Sequence, residues 1–186
     1  MSTKARFNNA LSEVGAVLGA VDEQAFEAMC QRLASAKTIG VYGCGREALQ
    51  MRGFAMRLFH LGLNVGVVGD VTMPPLGLGD VLIVSSGPGE LATVNAHIKT
   101  AKAAGAEVIF ITAEPFAEAA KAATQIVSLP AQTMASDQTT TASTVLPMGS
   151  AYEGALFFLF EIVILRLREV LDISQGDMRS RHTNME

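Results

Sequence analysis

Five short apolar segments rich in β-branched residues constrain the fold of this chain most. Most of them do not alternate between apolar and polar residues, which is typical of strands covered on both faces. Helical periodicity fills most gaps between them, and this alternation predicts an α/β fold with a doubly wound, five-stranded parallel sheet flanked by helices. The predicted strands are TIGVY (38–42), NVGVV (64–68), VLIVS (81–85), EVIFIT (107–112) and QIVSL (125–129), and the helical patterns between them cover 48–61, 91–104 and 115–123.

Two parts of the chain depart from this alternation. Residues 8–33 carry apolar positions at helical spacing, with Asp22 placed to cap a second helix, so a helical N-terminal segment (1–36) should precede the sheet. The link 69–80 has no helical pattern, although two parallel strands need a crossover. This link is either a short, turn-rich path across the end of the sheet or the point at which the predicted topology fails.

Composition limits the class of protein. A chain of 186 residues, of which 49% are apolar and 17% charged, is expected to form one compact domain (1–186). The net charge of −4 and the lack of a Lys/Arg cluster argue against nucleic acid or an anionic membrane surface as a partner. Cys30 and Cys44 have no disulfide-framework spacing, and the N-terminus lacks the apolar core of a signal peptide, which predicts a reduced, cytoplasmic protein.

The segment ALFFLFEIVIL (155–165) is apolar on every face except at Glu161. It is much shorter than the roughly 20 apolar residues that span a bilayer, so we interpret it as part of a buried helix. A helix that is apolar all round has to be covered on all sides. In a small protein this favours packing against another subunit, and we expect a homo-oligomer.

Glycine-rich loops follow two of the predicted strands, and both lead directly into helices. They are YGCGRE (42–47) and SSGPGE (85–90). Ligands of open parallel sheets bind beyond the carboxyl ends of the strands, and a helix N-terminus favours an anion, so the pair predicts a phosphate site. The alternative is that the glycines only make tight turns and that Ser86 and Glu90 cap the following helix.

The first loop does not match either of the two common nucleotide-binding motifs. A dinucleotide fingerprint requires a glycine where this chain has Ala48, although Asp70 could imitate its acidic residue, and no P-loop pattern is present. Arg46, directly after the turn, could clamp a phosphate or carboxylate, or it could be an ordinary surface arginine at a helix start.

Several motifs together resemble the sugar isomerase (SIS) family. They are GCGR (43–46), FAMRLFHLGLNVGVVGD (54–70), PPLGLGDVLIVSSGPGE (74–90), PMGSAYE (147–153) and the ending RHTNME (181–186). The resemblance implies a flavodoxin-like five-stranded sheet, a homotetramer, and neither a metal nor an organic cofactor. It also implies a small phosphosugar as ligand, namely a phosphorylated 3-ketose that is converted to fructose 6-phosphate in formaldehyde fixation by the ribulose monophosphate pathway.

The second loop departs from the family pattern S-G-S-G-E-T, whose second serine and threonine bind the sugar phosphate. Pro88 and Leu91 replace them, and each lost hydrogen bond to a charged group is worth about 1.5–3 kcal/mol. Either Arg46 or the polar loop 131–144 compensates, or the ligand differs. The remaining candidates for substrate binding are Gly45, Arg46, Ser85, Ser86, Gly87, Gly89, Glu90 and Thr93.

By the same resemblance, Glu153 is the base that moves a proton between C2 and C3 through an enediolate. The alternative is structural, because Ser150-Ala-Tyr-Glu153 also fits a capping box. A second proton has to move between the sugar oxygens, and His60 and His182 are the candidates. The tail 172–186, which contains His182, is expected to dock near a neighbouring subunit's site.

Other ionisable residues and other functions stay open at this stage. His97 is expected to be solvated, and Arg52 and Arg57 could face either the site or an interface. The chain could also be a non-catalytic module that binds sugar phosphates, or an isomerase of a different sugar.

Overall fold

The computed structural model describes residues 1–139, 142–143 and 145–185. Thr140, Thr141 and Thr144 of the predicted polar loop, and Glu186 of the tail, lie outside the described residues. The helices are α1 (Thr3–Gly19), α2 (Glu23–Ser35), α3 (Gly45–His60), α4 (Ala92–Ala103), α5 (Glu118–Ala122), α6 (Ser150–Val170) and α7 (Gln175–Ser180). The strands are β1 (Ile39–Gly43), β2 (Val65–Val67), β3 (Val81–Ser85), β4 (Glu107–Thr112) and β5 (Gln125–Ser128).

The five strands form one parallel sheet in the order β2-β1-β3-β4-β5. The predicted doubly wound sheet is therefore confirmed. Helices α2, α3 and α6 cover one face of the sheet, with α1 against α6, and α4 and α5 cover the other. The strand order reverses between β1 and β3, so the loops that leave these two strands diverge and open a crevice at the carboxyl edge.

The second N-terminal helix is capped as the sequence predicts. Asp22 is the N-cap of α2, and its carboxylate accepts the backbone N–H of Ala25 at 2.7 Å. Met29, Cys30 and Leu33 on α2 are fully buried against the sheet. The two helices thus belong to the same core as the strands.

The link between β2 and β3 has no helix, and it packs directly against two glycines of the sheet, Gly40 and Gly66. A Cβ on Gly40 would lie 2.8 Å from Cδ1 of Leu76, and a Cβ on Gly66 would lie 2.4 Å from Sδ of Met73. Both distances are below van der Waals contact, so the two glycines make room for the Leu76 and Met73 side chains of the link. The first of the two predicted alternatives, a turn-rich path across the sheet, is confirmed.

Helix α6 is buried on one side and exposed on the other. Tyr152, Leu156 and Phe160 lie in the core. Within the single chain the segment is covered on one side only, because four large side chains of its outer face are 45–53% exposed: Phe157, Phe158, Ile162 and Leu165. Cover of this face by another subunit stays a prediction. None of the helices in the described part of the chain has the length and apolar character that a bilayer span requires.

The C-terminal tail folds back onto the end of α3. Ser174 and Asp177 form a reciprocal capping box at the start of α7, and Met178 is buried. Arg181 donates a hydrogen bond to the backbone carbonyl of His60, with an N–O distance of 3.1 Å. The described part of the tail is therefore docked on its own chain.

Candidate active site

A cavity of about 380 Å³ lies at the carboxyl edge of the sheet, where the strand order reverses. The loop after β1 and the start of α3 form one wall, and the loop after β3 forms another. The start of α6 and part of the polar loop 131–144 close it. The lining residues are Cys44, Gly45, Arg46, Glu47, Pro88, Leu91, Thr133, Met134, Met148, Gly149, Tyr152 and Glu153.

Glu153 and Arg46 form an ion pair across the cavity wall. Nε of Arg46 lies 3.1 Å from Oε2 of Glu153, and the Glu153 side chain is only 16% exposed, against 51% for Arg46. Partial burial raises the pKa of the Glu153 carboxyl, and the negative charge of Glu47 raises it further, whereas Arg46 lowers it. The pocket thus holds a carboxylate whose proton affinity is above that of an ordinary glutamate.

The start of α6 shows that Glu153 has no capping role. The N-cap is Gly149, which has a φ of 84° and makes no side-chain cap hydrogen bond. Ser150 is already the first helical residue, and its hydroxyl accepts a hydrogen bond from Arg46 at 3.1 Å. The predicted capping box is therefore wrong. The Glu153 carboxylate lines the cavity instead, where it can accept a proton from a bound ligand.

Glu47 is a second carboxylate in the pocket and lies in the first turn of α3. It accepts hydrogen bonds from the Ser85 hydroxyl and from the backbone N–H of Gly87. The Gly87 nitrogen lies 3.0 Å from one Glu47 carboxylate oxygen and 3.2 Å from the other. Burial raises the pKa of the Glu47 carboxyl, and the bonds from Ser85 and Gly87 oppose this shift. The Ser85 hydroxyl also lies 3.1 Å from the buried Tyr152 hydroxyl, which donates to the Ile111 carbonyl.

Most of the hydrogen-bonding groups expected to receive phosphate in the loop after β3 are already bonded to the protein. The N–H of Gly89 donates to the Ser86 carbonyl and that of Glu90 donates to the Pro88 carbonyl, both at 3.0 Å. The Ser86 hydroxyl is buried and has no partner among the described residues. This loop therefore differs from an open anion-binding cradle.

The alternative in which Ser86 and Glu90 cap α4 is also wrong. The N-cap of α4 is Leu91, and no side chain bonds to the helix start. The Glu90 carboxylate instead accepts the N–H of Ala119 at 2.8 Å and the amide of Asn95 at 2.7 Å. Glu90 thus links α4 to α5.

The remaining substrate-binding candidates lie at or near the cavity. Gly45 begins α3 with a φ of 57°, a backbone conformation that favours glycine. The Thr93 hydroxyl lies 3.3 Å from the Cys44 thiol, which in turn lines the cavity. Of the predicted set, Gly45, Arg46 and Glu153 line the cavity directly.

His60 and His182 lie together, but away from this cavity. Their ring centroids are 5.2 Å apart, and both line a second cavity of about 360 Å³ with Arg57, Arg168 and Arg179. His60 ends α3, whereas the cavity with Glu153 lies at the start of α3, and 16 helical residues span about 24 Å. Within one chain, neither histidine reaches Glu153.

The other ionisable residues named from the sequence have structural partners. His97 packs edge-on against Tyr42, with centroids 4.3 Å apart, and is only partly exposed, whereas the sequence predicted a solvated side chain. Arg52 pairs with Asp70 at 2.8 Å, and Arg57 pairs with Glu161 at 3.2 Å.

Among the pocket residues that the sequence did not predict are Glu47, Tyr152 and Thr133. Glu47 ends the motif YGCGRE (42–47), and Tyr152 lies in PMGSAYE (147–153). Only their chemical type, a carboxylate and a phenol that follow glycine turns, could have identified them as candidate site residues. Thr133 is buried and comes from the polar loop 131–144, which was predicted only as a whole to compensate for the lost phosphate contacts. Among the described residues, no group of three or more His, Cys, Asp or Glu side chains is arranged to hold a metal ion.

Known proteins share this architecture. The SIS domain model matches residues 32–156. A 3-hexulose-6-phosphate isomerase from Bacillus subtilis (strain 168) is 32% identical over 167 residues, 89% of each chain. One from Mycobacterium gastri is 33% identical over 94% of this chain and 86% of its own. A crystal structure from Methanococcus jannaschii, whose inferred function is that of a 3-hexulose-6-phosphate isomerase, has a TM-score of 0.84 at 27% identity and covers 97% and 98% of the two chains.

The sheet order and the carboxylate-lined cavity at its switch point define an α/β protein with a pocket at the carboxyl edge of a parallel sheet. The chain belongs to the SIS family. It is an isomerase, as the sequence motifs imply.

Proposed function

We propose that this protein converts 3-hexulose 6-phosphate to fructose 6-phosphate, with Glu153 as the base. The names of the relatives from Bacillus subtilis and Mycobacterium gastri support the substrate. The observation that carries the mechanism is the partly buried Glu153 carboxylate, which faces the cavity and has no capping role. The reaction would serve formaldehyde fixation in the cytoplasm.

The reaction needs one carboxylate to move a proton between adjacent carbons. Glu153 removes the proton from C2 of the 3-ketose, which leaves an enediolate across C2 and C3. The same carboxyl group then returns the proton to C3, and the carbonyl is left at C2. A raised pKa suits the first step, because a more basic carboxylate accepts the carbon-bound proton more readily.

Arg46 is the cation nearest to this chemistry. Its guanidinium contacts Glu153, the Ser150 hydroxyl and the Met148 carbonyl, which fixes it beside the reacting carbons. A fixed cation stabilises the negative charge of an enediolate more strongly in a pocket than in water. We propose that Arg46 positions Glu153 and stabilises this intermediate. The phosphate would lie beside Gly45, Thr93 and the loop that runs from Ser85 to Glu90.

The proton that moves between the sugar oxygens requires a second group. His60 and His182 are too far from Glu153 in one chain, so one of them acts in the proposed mechanism only across a subunit interface. A homotetramer in which the docked tail of one copy faces the cavity of another meets this requirement. The exposed apolar side chains on α6, among them Phe157 and Ile162, supply a surface for such an assembly.

The proposal is tested by mixing the protein with ribulose 5-phosphate, formaldehyde and a hexulose-6-phosphate synthase, and following fructose 6-phosphate formation. Glu153→Gln should lower kcat by about 10²–10⁴-fold, since it removes the general base. Glu169→Gln, on the exposed side of the same helix, is the matched control and should retain activity. A wild-type protein that forms no product, or a folded Glu153→Gln variant with full activity, would contradict the proposal.

A further inference from the structure

The hydrogen bonds of Glu47 are those that a ligand phosphate in the same loop would need. The Ser85 hydroxyl and the Gly87 N–H converge on the Glu47 carboxylate beside the cavity, and both donate hydrogen bonds to it. The N–H groups of Gly89 and Glu90 are taken by backbone carbonyls. Thus a carboxylate of the protein holds the donors of the loop that would otherwise receive an anion.

No cation compensates Glu47 within the described part of the chain. Its sequence neighbour Arg46 turns to Glu153 instead. The causes of the Glu47 pKa shift are burial and the hydrogen bonds from Ser85 and Gly87, with no contribution from a positive charge. Of the ionisable groups on helix α6, Tyr152 and Glu153 lie at the end that faces Glu47. Burial raises the pKa of both, and the charge of Glu47 raises it further. A phosphate that enters this loop is therefore repelled by the uncompensated negative charge of the Glu47 carboxylate.

We infer that Glu47 is a specificity-determining residue that competes with the substrate phosphate for the Ser85 hydroxyl and the Gly87 N–H. A phosphosugar binds only when the Glu47 carboxylate gives up these bonds. An unphosphorylated sugar does not have to displace it, because neutral hydroxyls can donate to a carboxylate. The inference deepens the proposed function and rests on it for the identity of the ligand.

Two variants separate the effect of the Glu47 charge from the effect of its hydrogen bonds with the Ser85 hydroxyl and the Gly87 N–H. Glu47→Gln removes the charge but leaves an amide oxygen that can still accept from Gly87. Glu47→Ala removes the charge and also frees both donors. Glu118→Gln, whose side chain is 77% exposed, is the control that removes one negative charge elsewhere.

The experiment measures the affinity of each variant for fructose 6-phosphate and for fructose by isothermal titration calorimetry, at one ionic strength and pH 7.5. Glu47→Ala should bind fructose 6-phosphate at least tenfold more tightly than the wild type, and Glu47→Gln at least threefold more tightly. Affinity for fructose should change less than twofold in both variants, and Glu118→Gln should match the wild type. Inorganic phosphate is the second probe and should follow fructose 6-phosphate.

Equal or weaker binding of fructose 6-phosphate by a folded Glu47→Gln or Glu47→Ala variant would overturn the inference, as would equal gains for fructose and fructose 6-phosphate. Circular dichroism checks the fold, and Glu47→Gln, which preserves side-chain size, keeps the test decisive if Glu47→Ala does not fold. Failure of the proposed function looks different: tighter phosphate binding by the variants would persist, but neither the wild type nor the variants would form fructose 6-phosphate.

Discussion

The Arg46 guanidinium and the Glu153 carboxylate meet at 3.1 Å, although they come from the first turns of two different helices, α3 and α6. Both helices start at the edge of the cavity, so the pair joins two of its walls. The pKa of Glu153 is consequently determined by three opposing influences: burial and the charge of Glu47 raise it, and Arg46 lowers it. The two charges can be removed separately by substitution.

Removal of the Arg46 charge should move the acidic limb of the pH–rate profile to higher pH. Glu153 acts as a base only when it is ionised, so kcat/KM rises as the pH passes the Glu153 pKa. In Arg46→Gln that pKa loses the influence that lowers it. The measurement is kcat/KM between pH 4.5 and 8.5. The control is Arg52→Gln, which removes another arginine of α3. Arg52 pairs with Asp70 and not with Glu153, so this variant should leave the limb unchanged.

Removal of the Glu47 charge should have the opposite effect. In Glu47→Gln the Glu153 carboxyl no longer faces a neighbouring negative charge, so its pKa should fall towards the ordinary value for glutamate. A ¹³C NMR titration of the labelled Glu153 carboxyl tests this without any substrate. An unchanged or higher midpoint in Glu47→Gln would show that the two carboxylates are not coupled.

Glu47 should also make the stability of the protein depend on pH. Its pKa is raised in the folded protein, so the fold favours the protonated form. The resulting stabilisation is fully present below the unfolded-state pKa and is lost as the pH rises through the folded-state pKa. The free energy of unfolding of the wild type, relative to Glu47→Gln, should therefore be higher at pH 4 than at pH 8. Urea denaturation at both values measures it, and a difference of the opposite sign would contradict the argument.

The sequence was sufficient for the sheet and for the position of the pocket because both depend on local patterns. Buried strands such as 81–85 carry continuous apolar runs, and the glycines after β1 and β3 mark the carboxyl ends where ligands bind. The cap at the start of α6 was not predictable from Ser150 and Glu153. The same spacing occurs whether Ser150 is the N-cap or the first helical residue, and the left-handed Gly149 decides between them.

Non-local contacts explain the other failures. Glu47 bonds to Ser85, 38 positions along the chain, and no periodicity signals that a first-turn carboxylate will face the neighbouring strand's loop. His60 was proposed for the site from its chemistry alone. A helix of 16 residues that begins at the cavity has to end far from it, so the length of α3 already separated His60 from Glu153.

The crossover without a helix should depend on Gly66. In Gly66→Ala the new methyl group would lie 2.4 Å from the Met73 sulfur and 3.1 Å from Cδ of Pro74, so the Met73 side chain or the link itself has to shift. We expect a loss of about 1–3 kcal/mol in the free energy of unfolding, the usual range for overpacking. Gly53→Ala is the control, because a Cβ there meets nothing within 4 Å, and it should stabilise α3 by about 0.5–1 kcal/mol. Equal stability of both variants would mean that the link does not rest on β2.

The outer face of α6 should hold the proposed homo-oligomer together. Phe157 and Ile162 are 52% and 53% exposed in the single chain, so a subunit interface there would bury both. Glutamate at either position would place an unpaired charge in that interface, at a cost of about 3 kcal/mol or more than 100-fold in Kd. Light scattering after size-exclusion chromatography should find four chains in the wild type and fewer in Phe157→Glu or Ile162→Glu. Leu78→Glu, at a site that is 85% exposed on the β2–β3 link, should keep the wild-type mass. An unchanged mass in both α6 variants would place the interface on another face.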